Sequence, residues 1–302
     1  MSGERLPARD VGLIAVVVLI WASNFIVVRW GLDRMAPLAL CAWRFALSFF
    51  PVCLFLPPPR GRWRLLVAFG VVTGLGQFGL LFVAMRDQIS PAIAAVVVQT
   101  QAFFNIALAA IVLGERVRTA QVVGCIVAAS GLVVIGMAAG ASATTIGIVL
   151  TLLAGLSWAC CNVMMRRASY DGDLAAFMVW MSPFAALPLA ALSLVTEGPA
   201  ALVQPIRVFD AATIGIVAWQ AYANTIFGYA VWNRLIRTHG LARIAPLTLL
   251  VPVVAMGMAV MLLSEQLDLA EVAAAGLIIA GVVIPQWRTA KARTDAARQP
   301  VL

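Results

Sequence analysis

Ten apolar runs, each near the length of one bilayer-spanning helix, follow one another along the chain with short polar breaks between them. They lie at 11–32, 36–56, 64–85, 91–113, 119–138, 146–166, 174–195, 211–235, 242–263 and 270–287. A hydrocarbon core needs roughly 20 mainly apolar residues per helix, and in lipid every backbone amide must find its partner within its own segment. The pattern therefore predicts an all-α integral membrane protein with ten transmembrane helices. Composition agrees where it bears on this: 63% of the 302 residues are hydrophobic and 11% charged, far from the balance of a soluble domain. The first run is too long for a cleaved leader and has no small-residue cleavage site after it, so it is read as mature structure.

The net charge of +8 poses a choice between a nucleic-acid surface and a membrane-topology signal. The positions of the cations decide it. With alternate connections assigned to one side, that side holds 16 of the 21 basic residues, among them Arg5, Arg60, Arg62, Arg116, Arg166, Arg237 and Arg243. The other side holds Arg29, Arg34, Arg86 and Arg207, and Arg44 is left inside a run. By the positive-inside rule both termini of the multi-pass chain are expected in the cytoplasm. The lipid bilayer is the expected macromolecular surroundings, and nucleic acid is not an expected partner.

Self-comparison adds an internal repeat. Trp21, Trp43 and Pro51 recur 137 residues later as Trp158, Trp180 and Pro188. Ala92, Leu113, Glu115 and Gly131 recur 150 later as Ala242, Leu263, Glu265 and Gly281, and Phe78-Gly79 recurs as Phe227-Gly228. Two five-helix units follow, 1–140 and 141–302, the second ending in a basic tail. An odd helix count turns the second unit upside down, which predicts two inverted repeats around a central cavity, the plan of many secondary carriers.

The same residues carry a family likeness. Trp21-x-x-Asn24-Phe25, Arg44-Phe45, Gly76-Gln77-Phe78, Gln99-x-Gln101-Ala102-Phe103-Phe104, Gly114-Glu115-Arg116, Ser157-Trp158-Ala159-Cys160-x-Asn162 and the Ala245-Pro246-Leu247 to Val254 stretch resemble the EamA-type branch of the drug/metabolite transporter superfamily. Within that branch the chain is most similar to bacterial exporters of cysteine, O-acetylserine and related amino acids. The likeness covers essentially the whole chain and implies a carrier that exports amino acids or related small metabolites. The second unit departs from the pattern at Glu265-Gln266-Leu267 and at Cys161.

Polar groups at bilayer depth are the default functional candidates. Substrate-lining candidates are Trp21 and Asn24 on the first run and their counterparts Trp158 and Asn162 on the sixth. Gln77 joins them from the third run, and Gln101 and Asn105, four apart on one helical face, from the fourth. Tyr222, Tyr229 and Trp232 follow an α-helical stripe through the eighth. Amides and phenols offer donors and acceptors, which suits a zwitterion. For each, interhelical packing is the competing reading. Arg44 either meets a substrate carboxylate or fixes helix packing. Pro51, Pro188, Pro246 and Pro252 are candidate hinges. Glu115 and Glu265 read as caps or hairpin ion pairs rather than proton carriers. Small residues at Gly124/Ala128 and Gly276/Ala280 make the fifth and tenth runs scaffolding or a self-association face.

Other classes fit less well. An embedded enzyme needs an intramembrane carboxylate, metal cluster or nucleophile–base pair, and the only histidine, His239, falls in a loop. No cofactor and no metal site is expected. A retinal-type pump needs a lysine in a span, whereas the sole lysine, Lys291, is in the tail. Solutes of another class, namely lipophilic cations, purines or nucleotide sugars, remain the alternative cargo. Without an intramembrane acid or histidine relay, gradient-driven movement is expected over tight proton coupling.

Overall fold

The computed structural model describes residues 6–138, 142–208, 210–240 and 244–298, and among these every named element is helical. The repeat residue Ala242 and the cations Arg5 and Arg243 lie outside the described residues. We label the elements α1 (Ala8–Leu32), α2 (Pro37–Phe49), α3 (Trp63–Asp87), α4 (Pro91–Leu113), α5 (Thr119–Ala138), α6 (Thr145–Arg167) and α7 (Leu174–Thr196). Then come α8 (211–239), α9 (Leu250–Leu263, entered through the 3₁₀ turn Ala245–Leu249) and α10 (Leu269–Arg298); a short helix, Pro199–Val208, precedes α8. Seven of these, α1 to α7, are long and apolar enough to cross a membrane, counting α2 through Leu54. Two shorter apolar stretches, Leu247–Leu263 and Leu269–Ile284, match the ninth and tenth runs.

Loop contacts show that successive helices run in opposite directions. One end of the bundle holds the pairs Glu115–Arg166 and Asp10–His239 and the bond from Arg237 to the Gly172 carbonyl. The other end holds Arg34–Asp210, Arg29 donating to the Arg86 carbonyl, and Glu197 accepting from the amides of Leu38 and Ala39. Glu265 belongs to this second end. Starts of helices are capped where the sequence offers a short oxygen: Ser90 accepts from the Ile93 amide, Thr144 from Gly147, Asp173 from Ala175 and Asp210 from Thr213.

Packing comes in repeat-related pairs. α5 lies along α10 and α2 along α7, each against its own counterpart, while α1 lies on α8 and α9 as α6 lies on α3 and α4. Trp43 donates to the Leu202 carbonyl at 3.0 Å and its counterpart Trp180 to the Leu56 carbonyl at 2.8 Å. Helices in lipid gain nothing from hiding apolar surface, so close backbone approach has to hold them. A Cβ on Gly281 would lie 2.5 Å from the Gly124 carbonyl oxygen, and one on Gly131 would lie 2.7 Å from that of Ala274. The Gly124/Ala128 stripe is thus spent inside the chain on the α5–α10 contact. Outward faces carry Ile126, Met137, Leu187, Val195 and Met261, all exposed, as lipid contact requires.

α3 is seated on α7 in the same way. A Cβ on Gly74 would lie 2.7 Å from Ala185 Cα, which is backbone and cannot step aside. Gly74→Leu is expected to push α3 off α7 and cost about 3 kcal/mol, at the upper end of core overpacking. Gly215→Ala, where nothing lies within 4 Å, is the control. Equal thermal midpoints for the two variants in detergent would refute the contact's importance.

Two expectations about proline change. α2 stops at Phe49, because the residue before a proline is driven out of the α region, so Pro51 follows the helix instead of kinking it. Pro246 sits in the opening 3₁₀ turn of the α9 segment and Pro252 in the first helical turn after it. Pro188, with Pro183, does lie inside α7, but Pro51 lies outside α2, so the matched kinks expected of Pro51 and Pro188 do not form.

Candidate functional site

α3 and α8 share an irregularity at the Phe-Gly repeat. Each contains a π-helical stretch, Val72–Gly79 and Trp219–Phe227, ending where Phe78-Gly79 and Phe227-Gly228 recur. A π turn bonds i to i+5, so it holds an extra residue and rotates everything beyond it by roughly 100° relative to an unbroken α-helix. The Gly228 amide shows the geometry directly, donating to the Ala223 carbonyl five residues back.

That rotation corrects the stripe expected on α8. Tyr222 turns outward and is 36% exposed, next to exposed Trp219 and Phe227. Gln220, Asn224 and Thr225 turn inward and are buried. Tyr229 lies past the π turn and faces a cavity of about 180 Å³ among α3, α6, α7 and α8. Gln77 and Thr73 of α3 and Trp158 and Asn162 of α6 line it too, with Phe69, Met165, Phe177 and Met178 as apolar wall. Leu174, the first residue of α7, also lines it, so the cavity reaches toward the Glu115 end.

Within the cavity, Thr73 is already bonded to the Cys161 thiol at 3.2 Å. The side chains of Gln77 and Asn162 make no hydrogen bond among the described residues, which leaves two neutral amides facing the space. Among the described residues, no ionised group lines it. Trp21 and Trp232 brace Tyr229, with ring centroids 5.7 Å (Trp21 to Tyr229) and 5.1 Å (Trp21 to Trp232) apart, and Trp21 donates to the Asn224 carbonyl. Neither tryptophan lines the cavity itself. Gly228 makes room for this arrangement, since a Cβ there would lie 2.5 Å from Trp21 Nε1.

Three further candidates stand elsewhere. Gln101 and Asn105 bond to each other, and Asn105 lines a separate cavity of about 140 Å³ with Glu115, Arg116, Gln121 and Arg166. A 3₁₀ turn at Val98–Thr100 separates the two halves of α4, and the second half packs on α6. Asn24 is buried between helices, its Oδ1 without a hydrogen-bond partner among the described residues.

Arg44 is 1% exposed. Its Nη2 donates to Asn224 Oδ1 at 3.0 Å and Thr225 Oγ1 at 3.1 Å, and its guanidinium carbon lies 3.9 Å from the Phe78 ring centroid. One side chain of α2 thereby clasps α8 and α3, and both clasping segments are the π stretches. Its Nε and Nη1 atoms have no solvent-sized space beside them, so no carboxylate fits there in this conformation.

Sequence reasoning missed Thr73, Phe69, Met165, Phe177 and Met178 as cavity wall. A hydroxyl inside an apolar run was a readable signal for Thr73; the others are ordinary apolar residues until the π turns fix which face looks inward.

Comparison with known proteins fits this architecture. The profile described as "EamA-like transporter family" matches residues 10–137 and again 145–285, the two halves of the chain. A "Probable amino-acid metabolite efflux pump" of Salmonella typhimurium is 37% identical over 284 residues, covering 92% of this chain and 95% of that protein. Its namesake in Escherichia coli K12 is 34% identical, covering 94% and 98%. A solved crystal structure superposes with a TM-score of 0.60 at 19% identity, covering 92% of this chain and 95% of that one, a likeness of fold.

Proposed function

The chain belongs to the EamA-like transporter family, and on that premise we propose that it exports small, net-neutral amino acids and related metabolites by alternating access. The observation that carries the substrate class is the cavity between α3, α6, α7 and α8: two unengaged amides, one phenol, an apolar and thioether-containing wall, and no ionised side chain. A solute with net charge would leave water without a counter-charge, which is costly at this depth. A zwitterion brings its own, and needs from the protein only hydrogen bonds to its two ends. The small volume favours a compact side chain, and Met165, Met178 and Phe177 favour an apolar or sulfur-containing one. Lipophilic cations, the alternative cargo, find no acid there.

In this reading ten helices form two inverted five-helix repeats in an inner membrane, with both termini and the Glu115 end in the cytoplasm. The repeat-related contacts and the alternating loop contacts support it, as does the loop charge bias. With the cavity reaching toward the Glu115 end, the conformation corresponds to the loading side of an exporter. With no ionised group lining it, movement follows the solute gradient.

Counterflow into proteoliposomes tests this. Cysteine, O-acetylserine, methionine and other neutral amino acids are expected to exchange without a pH gradient and to be unaffected by an uncoupler, while lysine and glutamate are not carried. Preferential counterflow of a cationic or anionic panel member would refute the substrate class.

A further inference from the structure

The repeat places one glutamate at each end of the bundle, in Leu113-Gly114-Glu115 and Leu263-Ser264-Glu265. Their backbones are alike. Gly114 and Ser264 both take left-handed conformations, with φ of 69° and 55°, and the following glutamate amide bonds back to the Ala109 carbonyl at 3.3 Å or the Ala259 carbonyl at 3.4 Å. Ser264 adopts this conformation without being glycine, so the turn is imposed by the motif.

Their side chains are not alike. Glu115 is about half exposed and ion-paired with Arg166. Glu265 has both carboxylate oxygens shielded from solvent, and neither has a hydrogen-bond partner among the described residues. It faces Ser90 and the Ala92 amide at the start of α4, outside good hydrogen-bond geometry with either. It also borders a chamber of about 650 Å³ between the ends of α1, α3 and α9 and the start of α4.

The charges around it are already committed. On α1, Arg29 pairs with Asp33 at 3.1 Å. At the end of α3, Arg86 pairs with Asp87 at 3.8 Å and donates to the Met35 carbonyl. At the start of α10, Asp268 and Glu271 cap each other's amides at 3.1 and 2.8 Å, and Glu271 is buried. An ionised carboxylate in such a place would be poorly compensated. Two escapes exist. The carboxyl takes a proton, or its loop leaves the start of α4 and returns it to water.

We propose that Glu265 is a proton-binding site that latches its end of the bundle: that end is closed over the neutral carboxyl and opens when the carboxyl ionises. The inference does not depend on which solute is carried. Burial raises the Glu265 carboxyl above the usual range, with Glu271 adding to the rise, while Ser90, the Ala92 amide and Arg29 oppose it. The sign follows from linkage. Since the closed state has the raised value, its advantage is full below the ordinary carboxylate range and is lost as pH rises through the raised value. Acid therefore closes this end and alkali opens it. Glu115, already paired with Arg166, gives the other end no such response. The proton enters and leaves at one end, so this is a latch and not a route through the membrane.

Hydrogen exchange on the full chain in nanodiscs, corrected for intrinsic rates and run from about pH 5 to 9, reads the latch. Peptides spanning 86–95 and 262–270 are expected to lose protection about tenfold per pH unit between the ordinary carboxylate range and the raised value, and to level off above it. Glu265→Gln, a permanently neutral isostere, is expected to stay protected throughout, and Glu115→Gln to respond like wild type. Should Glu265→Gln not fold, wild-type infrared spectra decide: a protonated-carboxyl band must vanish with the same midpoint as the protection. A flat wild-type profile, a Glu265→Gln profile matching wild type, or a band that does not titrate with protection overturns the proposal. None of these readouts involves transport, so a failed counterflow assay leaves the result standing.

Discussion

Arg44→Ala is expected to lower stability by about 3 kcal/mol, with the loss centred on the contact between α2 and the π stretch of α8. Truncating a long buried side chain leaves a void worth about 2–5 kcal/mol by the large-to-small rule, and Asn224 Oδ1 loses its donor, worth about 1–3 more. Against this stands relief from burying a cation that has no carboxylate partner among the described residues, since the contacts found are Asn224, Thr225 and the Phe78 face. Packing and the orphaned acceptor win because that cation is already partly compensated by the ring and by two hydrogen bonds. Arg44→Met separates the terms: it refills the volume and should recover at least half of the loss, leaving the hydrogen-bond part. Arg44→Lys should not rescue fully, since an ammonium cannot stack its face on Phe78 while reaching two acceptors. Thermal melts in detergent give the order. An Arg44→Ala midpoint equal to wild type would remove the clasp from the account of the fold.

That clasp also marks the boundary of what the chain discloses before it is folded. Run length and loop charge suffice to read helices α1 and α3 to α7 nearly to their ends, because in lipid apolar length is the dominant constraint. The repeat is legible too, through Trp43/Trp180 and Glu115/Glu265, and the two tryptophans do occupy corresponding contacts. The π turns are not legible. Reading Tyr222, Tyr229 and Trp232 as one stripe assumes a fixed 3.6-residue period, and a single i to i+5 turn invalidates it for Tyr222 while sparing Tyr229. Nothing in Trp219–Phe227 announces that turn except its place before Phe-Gly, which becomes informative only when α3 shows the same thing. The same limit applies to Glu265. Its motif reads as a twin of Glu115, yet the difference between an ion pair and a buried orphan depends on which loop lies opposite each one.

Gln77→Ala and Asn162→Ala are each expected to reduce counterflow by about 10- to 100-fold while leaving the protein folded. Each removes one neutral amide from a cavity whose other polar groups are Thr73, the Tyr229 phenol and the Trp158 indole N–H. The charged ends of a zwitterion leave full hydration to enter, and a hydrogen bond to a charged group is worth about 1.5–3 kcal/mol, which is the quoted range in rate. Stability should hold because neither amide is bonded to the protein among the described residues, so no partner is orphaned. Tyr229→Phe should fall between these variants and wild type, since its ring still fills the wall beside Trp21. Tyr222→Phe is the discriminating control: a fixed α-helical stripe makes it as damaging as Tyr229→Phe, whereas the π turn that faces it to lipid makes it silent. If Tyr222→Phe impairs transport and Asn162→Ala does not, solute passes along a different face of α8 from the one the π turn presents. The 180 Å³ cavity would then be a packing defect and not a binding site. If the order holds as stated, recognition rests on amides held by α3 and α6 and a phenol on α8. Because α3 and α8 both carry a π turn beside their cavity residues, small changes in either turn would re-aim those residues without unfolding the bundle.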